Sequence, residues 1–142
     1  MDVLIAVDDS DESREAVTAA YRFFGSAAGY SLISVGERPA VFVGGYGPAA
    51  MPTAADLEMQ LDAAQRSAEH AVSAAQAHLP EGAQIDVEVG DPARTICEFA
   101  TDHHSDVIVI GSHDRRFWER IFDPSVTRYL IDHAPCPVLV VR

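Results

Sequence analysis

The chain has 142 residues, 48% of them hydrophobic, which suits one ordinary domain whose core needs neither disulfides nor metal staples. Its formal net charge is −12 and it contains no lysine, which argues against DNA, RNA and anionic membranes as bulk partners and excludes a phosphate loop built on a lysine. Cys97 and Cys136 match no CxxC or zinc spacing and read as reduced, partly buried thiols, and no apolar run has the length of a membrane span or the form of a signal peptide, so a soluble cytoplasmic protein is expected.

The first strand is expected at residues 3–7, VLIAV, ending in Asp8-Asp9-Ser10. Ser10 or Asp9 then caps a helix whose first turn carries Asp11 and Glu12 near its positive end. In that helix Ala16, Val17, Ala20, Phe23 and Phe24 recur at helical spacing, and Gly25 and Gly29 bracket its end. Residues 31–35 read as strand two. The glycine- and proline-rich segment 36–52 reads as a connecting loop, and its GGYG at Gly44, Gly45, Tyr46 and Gly47 is too short to be a phosphate loop.

An alanine-rich helix is expected from Thr53 to about Leu79, with Leu57, Leu61, Ala64, Ala68, Ala71, Ala75 and Leu79 as one stripe. Ile85, Val87 and Val89 alternate with polar residues as a half-buried third strand does. Gly90-Asp91-Pro92 makes a turn whose proline opens a helix through Ile96, Cys97, Phe99 and Ala100. Residues 107–110 form strand four, residues 125–133 the last helix, and residues 138–141 strand five. Strands separated by helices imply right-handed crossovers and an open parallel sheet with helices on both faces. In such folds a ligand sits beyond the carboxyl ends of the strands, where Asp8, Val35, Gly90 and Gly111 fall.

Three stretches together carry a family resemblance: VLIAVDDSDESREAV, VGDPARTICEFATDHHSDVIVIGSH and SVTRYLIDHAPCPVLVV. Over the whole chain the sequence resembles the universal stress protein family. The resemblance implies a single-domain, Rossmann-like α/β fold, with five parallel strands in the order 3-2-1-4-5. It also implies a small cytoplasmic binding or regulatory module, often dimeric, rather than an enzyme.

One branch of that family holds ATP with a loop patterned G-x-x-G, nine residues, then G-[ST]. Glycines let backbone N–H groups approach phosphate oxygens, and the last pair opens a helix whose positive end faces the anion. Here Gly111 matches the first position and Ser125 the last, followed by Val126, but Asp114 and Pro124 stand where the other two glycines would. The resemblance further places Asp8 at the adenine and Val35 at the base or ribose. The candidate ligand residues are therefore Asp8, Val35, Gly111, Ser125 and Val126, with the base end retained and the phosphate end altered. No cofactor is expected to be held firmly, and ATP binding is weak or lost; an ATP- or AMP-binding sensor is the alternative.

Each candidate has a plainer reading. Asp8 contacts a base or helps cap the first helix. Arg115 and Arg116 meet phosphates or are a solvated pair, and Phe117, Trp118 and Phe122 form an aromatic cover or local core. His103 and His104 with Asp102 and Asp106 suggest a metal, yet adjacent side chains at a helix end diverge. Ser112, His113 and Asp114 are neighbours in sequence and cannot line up as a hydrolytic triad. A homodimer is expected through strand five, because Val138, Leu139, Val140 and Val141 are charge-free at an edge in the family arrangement. A further protein partner is expected and has no signature in the sequence.

Overall fold

The computed structural model describes residues 1–38, 53–79, 82–111 and 124–141, with Pro124 described by its backbone. The expectations placed on Gly44 to Gly47, on His113 to Arg116 and on Phe117, Trp118 and Phe122 lie outside these residues. The elements in chain order are β1 (Asp2–Ala6), α1 (Asp11–Phe24), β2 (Gly29–Glu37), α2 (Ala54–Gln76), β3 (Gln84–Gly90), α3 (Pro92–Asp102), β4 (Val107–Gly111), α4 (Pro124–His133) and β5 (Val138–Val141). The strands form one parallel sheet in the order β3-β2-β1-β4-β5.

Alternation along the strands divides the core between the two faces. On one face Val3, Ile5, Val7, Leu32, Val107 and Val109 pack under α1 and α2, with Ala16, Val17, Ala20, Val72 and Ala75. On the other, Leu4, Ala6, Ile33, Ile108 and Ile110 pack under α3 and α4, with Ile96, Phe99, Val126 and Leu130. The central strands are buried on both faces, so they read as continuous apolar runs. Leu4, Ile5, Leu32, Ile33 and Ile108 are fully buried, and each contributes roughly 1.5–3 kcal/mol relative to exposure.

Capping fixes the helix starts. Ser10 caps α1 by accepting the Ser13 N–H, Thr53 caps α2 in a capping box with Asp56, and Asp91 caps α3 ahead of Pro92. Helix α4 begins at Pro124, one residue earlier than the sequence pattern suggests. A proline suits a first helical position, since its φ is preset and its missing N–H has no partner within the helix.

The structure departs from the expected packing at three places. Phe24 packs against the core but Phe23 is 62% exposed beneath the Arg22 guanidinium, because adjacent helical residues lie about 100° apart and only one can face inward. In α2 the buried stripe is Ala68, Ala71, Val72 and Ala75, while Leu57 and Leu61 are only half-buried and Leu79 follows the helix end. Gly36 belongs to β2 rather than to a loop, paired with Val89 of β3. A Cβ there would lie 2.6 Å from the Ala64 carbonyl oxygen, so glycine is what lets α2 settle onto the strand.

Candidate functional site

The chain runs outward from β1 to β3, then returns to place β4 on the other side of β1. A crevice therefore opens over the carboxyl ends of the strands near that reversal. It is a cavity of about 260 Å³, with Ala6 to Asp9 at the end of β1 and Ser34 to Glu37 at the end of β2. Ala64, Ser67, Ala68 and Ala71 of α2 wall one side; Pro92 and Ile96 of α3 and Val126 of α4 wall the other. Small α2 side chains leave the space open, and Ile33, Val35, Ile96 and Val126 give it an apolar lining.

Asp8 lines this cavity and is also built into the β1–α1 turn. Its Oδ1 accepts the Ser10 hydroxyl and the Ser13 hydroxyl, the latter at 2.5 Å, while its N–H donates to Ser13 Oγ at 2.9 Å. Ser13 is 2% exposed, so this link lies in a protected setting where a charge-assisted hydrogen bond is strong. The Asp8 carboxylate thus helps fix the start of α1 and also borders the crevice. Next to it, Asp9 Oδ1 lies 3.2 Å from His70 Nδ1 on α2.

Val35 and Val126 meet at the same crevice as Asp8. Ser125 lies one residue away on α4 and lines an adjoining open groove of about 950 Å³, which runs along α3 and β3. That groove shares Glu37, Pro92 and Val126 with the crevice, and it is larger, reaching from the ends of β2 and β3 along α3. Gly111 lines neither space; it ends β4, where a Cβ would lie 2.6 Å from the Glu12 carbonyl oxygen and 3.1 Å from the Ser13 nitrogen. Its lack of a side chain is accounted for by the approach of α1. Asp114 lies outside the described residues.

Sequence reasoning missed Ser13 and Ser34. Ser34 is a buried polar residue within the apolar run of β2, and that interruption was its available signal. Ser13 had none, because its contact with Asp8 spans five residues around a turn. Of the two histidines considered as metal ligands, His103 stacks on Phe99 with ring centroids 3.7 Å apart. Among the described residues no group of three or more potential metal ligands converges. Both cysteines are half-buried, and burial pushes each thiol above its ordinary pKa; Cys136 and then Glu98 add to the effect at Cys97, and Asp106 adds to it at Cys136.

Strand order, two-faced helical cover and a crevice at the reversal define an open, doubly wound α/β domain of the kind that takes small ligands at its strand ends. The family model described as the universal stress protein family matches residues 1–142, and the chain belongs to that family. It is 32% identical over 145 residues to a universal stress protein of Methanocaldococcus jannaschii, covering 99% of this chain and 81% of the relative. It resembles the structure of the universal stress protein UspA from Lactobacillus plantarum with a TM-score of 0.68 and 27% identity, covering 100% of this chain and 97% of that one. A family protein from Arabidopsis thaliana with AMP bound has the same fold, with a TM-score of 0.65 and 19% identity, covering 99% of this chain and 90% of that one. Among the described residues no helix is long and apolar enough to cross a membrane.

Proposed function

We propose that this family member is a non-catalytic, cytoplasmic regulatory domain, that its crevice accepts the adenosine part of an adenine nucleotide, and that it holds ATP weakly or not at all. The observation that carries this reading is the crevice itself, where Asp8, Val35 and Val126 come from three separate elements to one small, largely apolar space. A carboxylate that accepts hydrogen bonds beside apolar walls suits a flat base with an exocyclic amine. The AMP of the Arabidopsis protein belongs to that protein; at 19% identity the likeness speaks for the fold alone, so the reading for this chain rests on its own side chains.

Weak ATP binding follows from the loop sequence and from the start of α4. Pro124 supplies no N–H at the first position of a helix whose N-terminus would receive a phosphate. Losing one hydrogen bond to a charged group costs on the order of 1.5–3 kcal/mol. Asp114 adds a negative charge where the ATP-binding pattern has a glycine, and two unit charges about 4 Å apart repel by roughly 1 kcal/mol in water and 4 kcal/mol at a semi-buried dielectric. Each 1.4 kcal/mol or so is a tenfold loss of affinity. The second reading, an ATP- or AMP-dependent sensor, draws on Ser125, which stands beside the crevice at the start of α4.

Two measurements separate these readings. Chromatography of the supernatant from denatured purified protein detects any adenine nucleotide carried along. Calorimetry with Mg-ATP is expected to give weak or no binding for the wild type and a clear gain for Asp114→Gly/Pro124→Gly. Micromolar binding by the wild type that Ser125→Ala abolishes would establish the sensor reading instead.

We also propose that the chain is a homodimer through β5. In support, β5 is the outermost strand beside β4, its four residues Val138, Leu139, Val140 and Val141 are half-buried, and none is charged. An edge of that kind invites pairing with another strand.

A further inference from the structure

Every charged side chain on the described walls of the crevice is a carboxylate: Asp8 and Asp9 at the end of β1 and Glu37 at the end of β2. Among the described residues no arginine or histidine lines the crevice, and His70, 3.2 Å from Asp9, stands outside that lining. The adjoining groove adds Asp86, Glu88, Asp91, Glu98 and Asp102 against Arg38, Arg94 and His103. From this one-signed wall we propose that the crevice selects an uncharged nucleoside, and that each phosphate added to the ligand lowers its affinity. The inference rests on the reading of the crevice as an adenosine site and specifies which form of the ligand enters.

The chemistry of the ligand accounts for the preference. A nucleoside presents N–H and O–H donors at its amine and its ribose, and ionised carboxylates only accept. A phosphate presents acceptors and negative charge, so on the described walls it meets the Ser34 and Ser67 hydroxyls as donors but no cationic side chain. The volume agrees, since about 260 Å³ lies below the roughly 300–1,000 Å³ of pockets that take larger, drug-sized ligands. Summed over three carboxylates in a water-like medium, the repulsion amounts to on the order of a tenfold loss of affinity per phosphate charge at low salt. The repulsion also carries a signature opposite to that of an ordinary phosphate site. Charges act over roughly 30 Å at 0.01 M salt and about 3 Å at 1 M, so added salt here tightens AMP and ATP binding instead of weakening it.

The experiment is calorimetry on the full chain without Mg²⁺, with adenosine, AMP and ATP as ligands, at about 0.01 M and about 1 M salt. The expected order of affinity at low salt is adenosine, then AMP, then ATP, with the gap narrowing at high salt. Glu37→Gln alters an exposed residue at the end of β2 and is expected to raise the ratio of AMP to adenosine affinity several-fold. AMP or ATP binding more tightly than adenosine and weakening with salt overturns the inference while leaving the adenosine site in place. A ratio unmoved by Glu37→Gln also overturns it. Failure of all three ligands to bind removes the adenosine reading and this inference together.

Discussion

Replacing Gly111 with alanine tests whether this glycine serves the fold or a phosphate. The added Cβ would sit 2.6 Å from the Glu12 carbonyl oxygen, 2.8 Å from its carbon and 3.1 Å from the Ser13 nitrogen. Carbon and oxygen normally approach no closer than about 3.3 Å, so the first turn of α1 must retreat by roughly 0.7 Å. The obstructing atoms are backbone, and no flexible side chain can swing aside. Overpacking of this kind costs typically 1–3 kcal/mol, and alanine recovers about 0.4–1 kcal/mol by restricting the unfolded chain. A net loss of roughly 1.3 kcal/mol is expected, which at about 2–4 °C per kcal/mol for a domain of this size lowers Tm by roughly 3–5 °C. Urea unfolding followed by far-UV circular dichroism, with no nucleotide present, measures it. A loss under about 0.5 kcal/mol, the range of ordinary surface changes, would refute the packing account and return Gly111 to the ligand.

Ser13→Ala deletes the hydroxyl that bridges the Asp8 carboxylate and the Asp8 N–H, and is expected to cost on the order of 1.5–3 kcal/mol in urea unfolding. A loss no larger than that of Thr18→Ala, an exposed hydroxyl of the same helix, would show that the bridge contributes little. Burial raises the Cys97 and Cys136 thiol pKa values, so the folded chain holds these protons more tightly than the unfolded one. That contribution to stability is fully present below the unfolded value near 8.5 and is lost as pH rises through the folded values. Stability is therefore expected to fall above about pH 9, and iodoacetamide at about pH 7.5 to alkylate both thiols more slowly in the native protein than in urea; equal rates would contradict it. Val140→Arg is expected to convert a dimer into a monomer by light scattering at micromolar protein, and a dimer that survives it unchanged would place the interface elsewhere.

The alternation of strands and helices was legible because apolar spacing changes with each element. The capping residues and Pro92 mark where three helices begin. What the sequence could not convey was contact across the fold. Gly36 looks like the opening of a loop because its neighbours downstream are glycines and prolines, but its reason is Ala64, far along the chain. Gly111 looks like a phosphate-loop glycine because it closes an apolar strand, and the approach of Glu12 and Ser13 to it was hidden in the sequence. Phe23 and Phe24 carry the same hydropathy, and only the sheet beneath the helix decides between them. At the candidate site Asp8 and Val35 stand out as strand ends. The α2 wall does not, because alanines that border a cavity and alanines that pack a core read alike.

The two borders of the sheet also differ in what they permit between molecules. Along β3, Asp86 and Glu88 interrupt the apolar residues, whereas β5 carries no charge. A molecule that offered its β5 to the β3 of the next would leave one border of each kind open, and such a head-to-tail joint propagates into a filament. The carboxylates of β3 oppose a strand laid against them, which closes that route. The proposed pairing of β5 with β5 would consume the permissive border of both molecules and leave only the β3 borders, with Asp86 and Glu88, outside. On the proposed β5 pairing, growth of the sheet by edge addition would be confined to a single step that terminates itself.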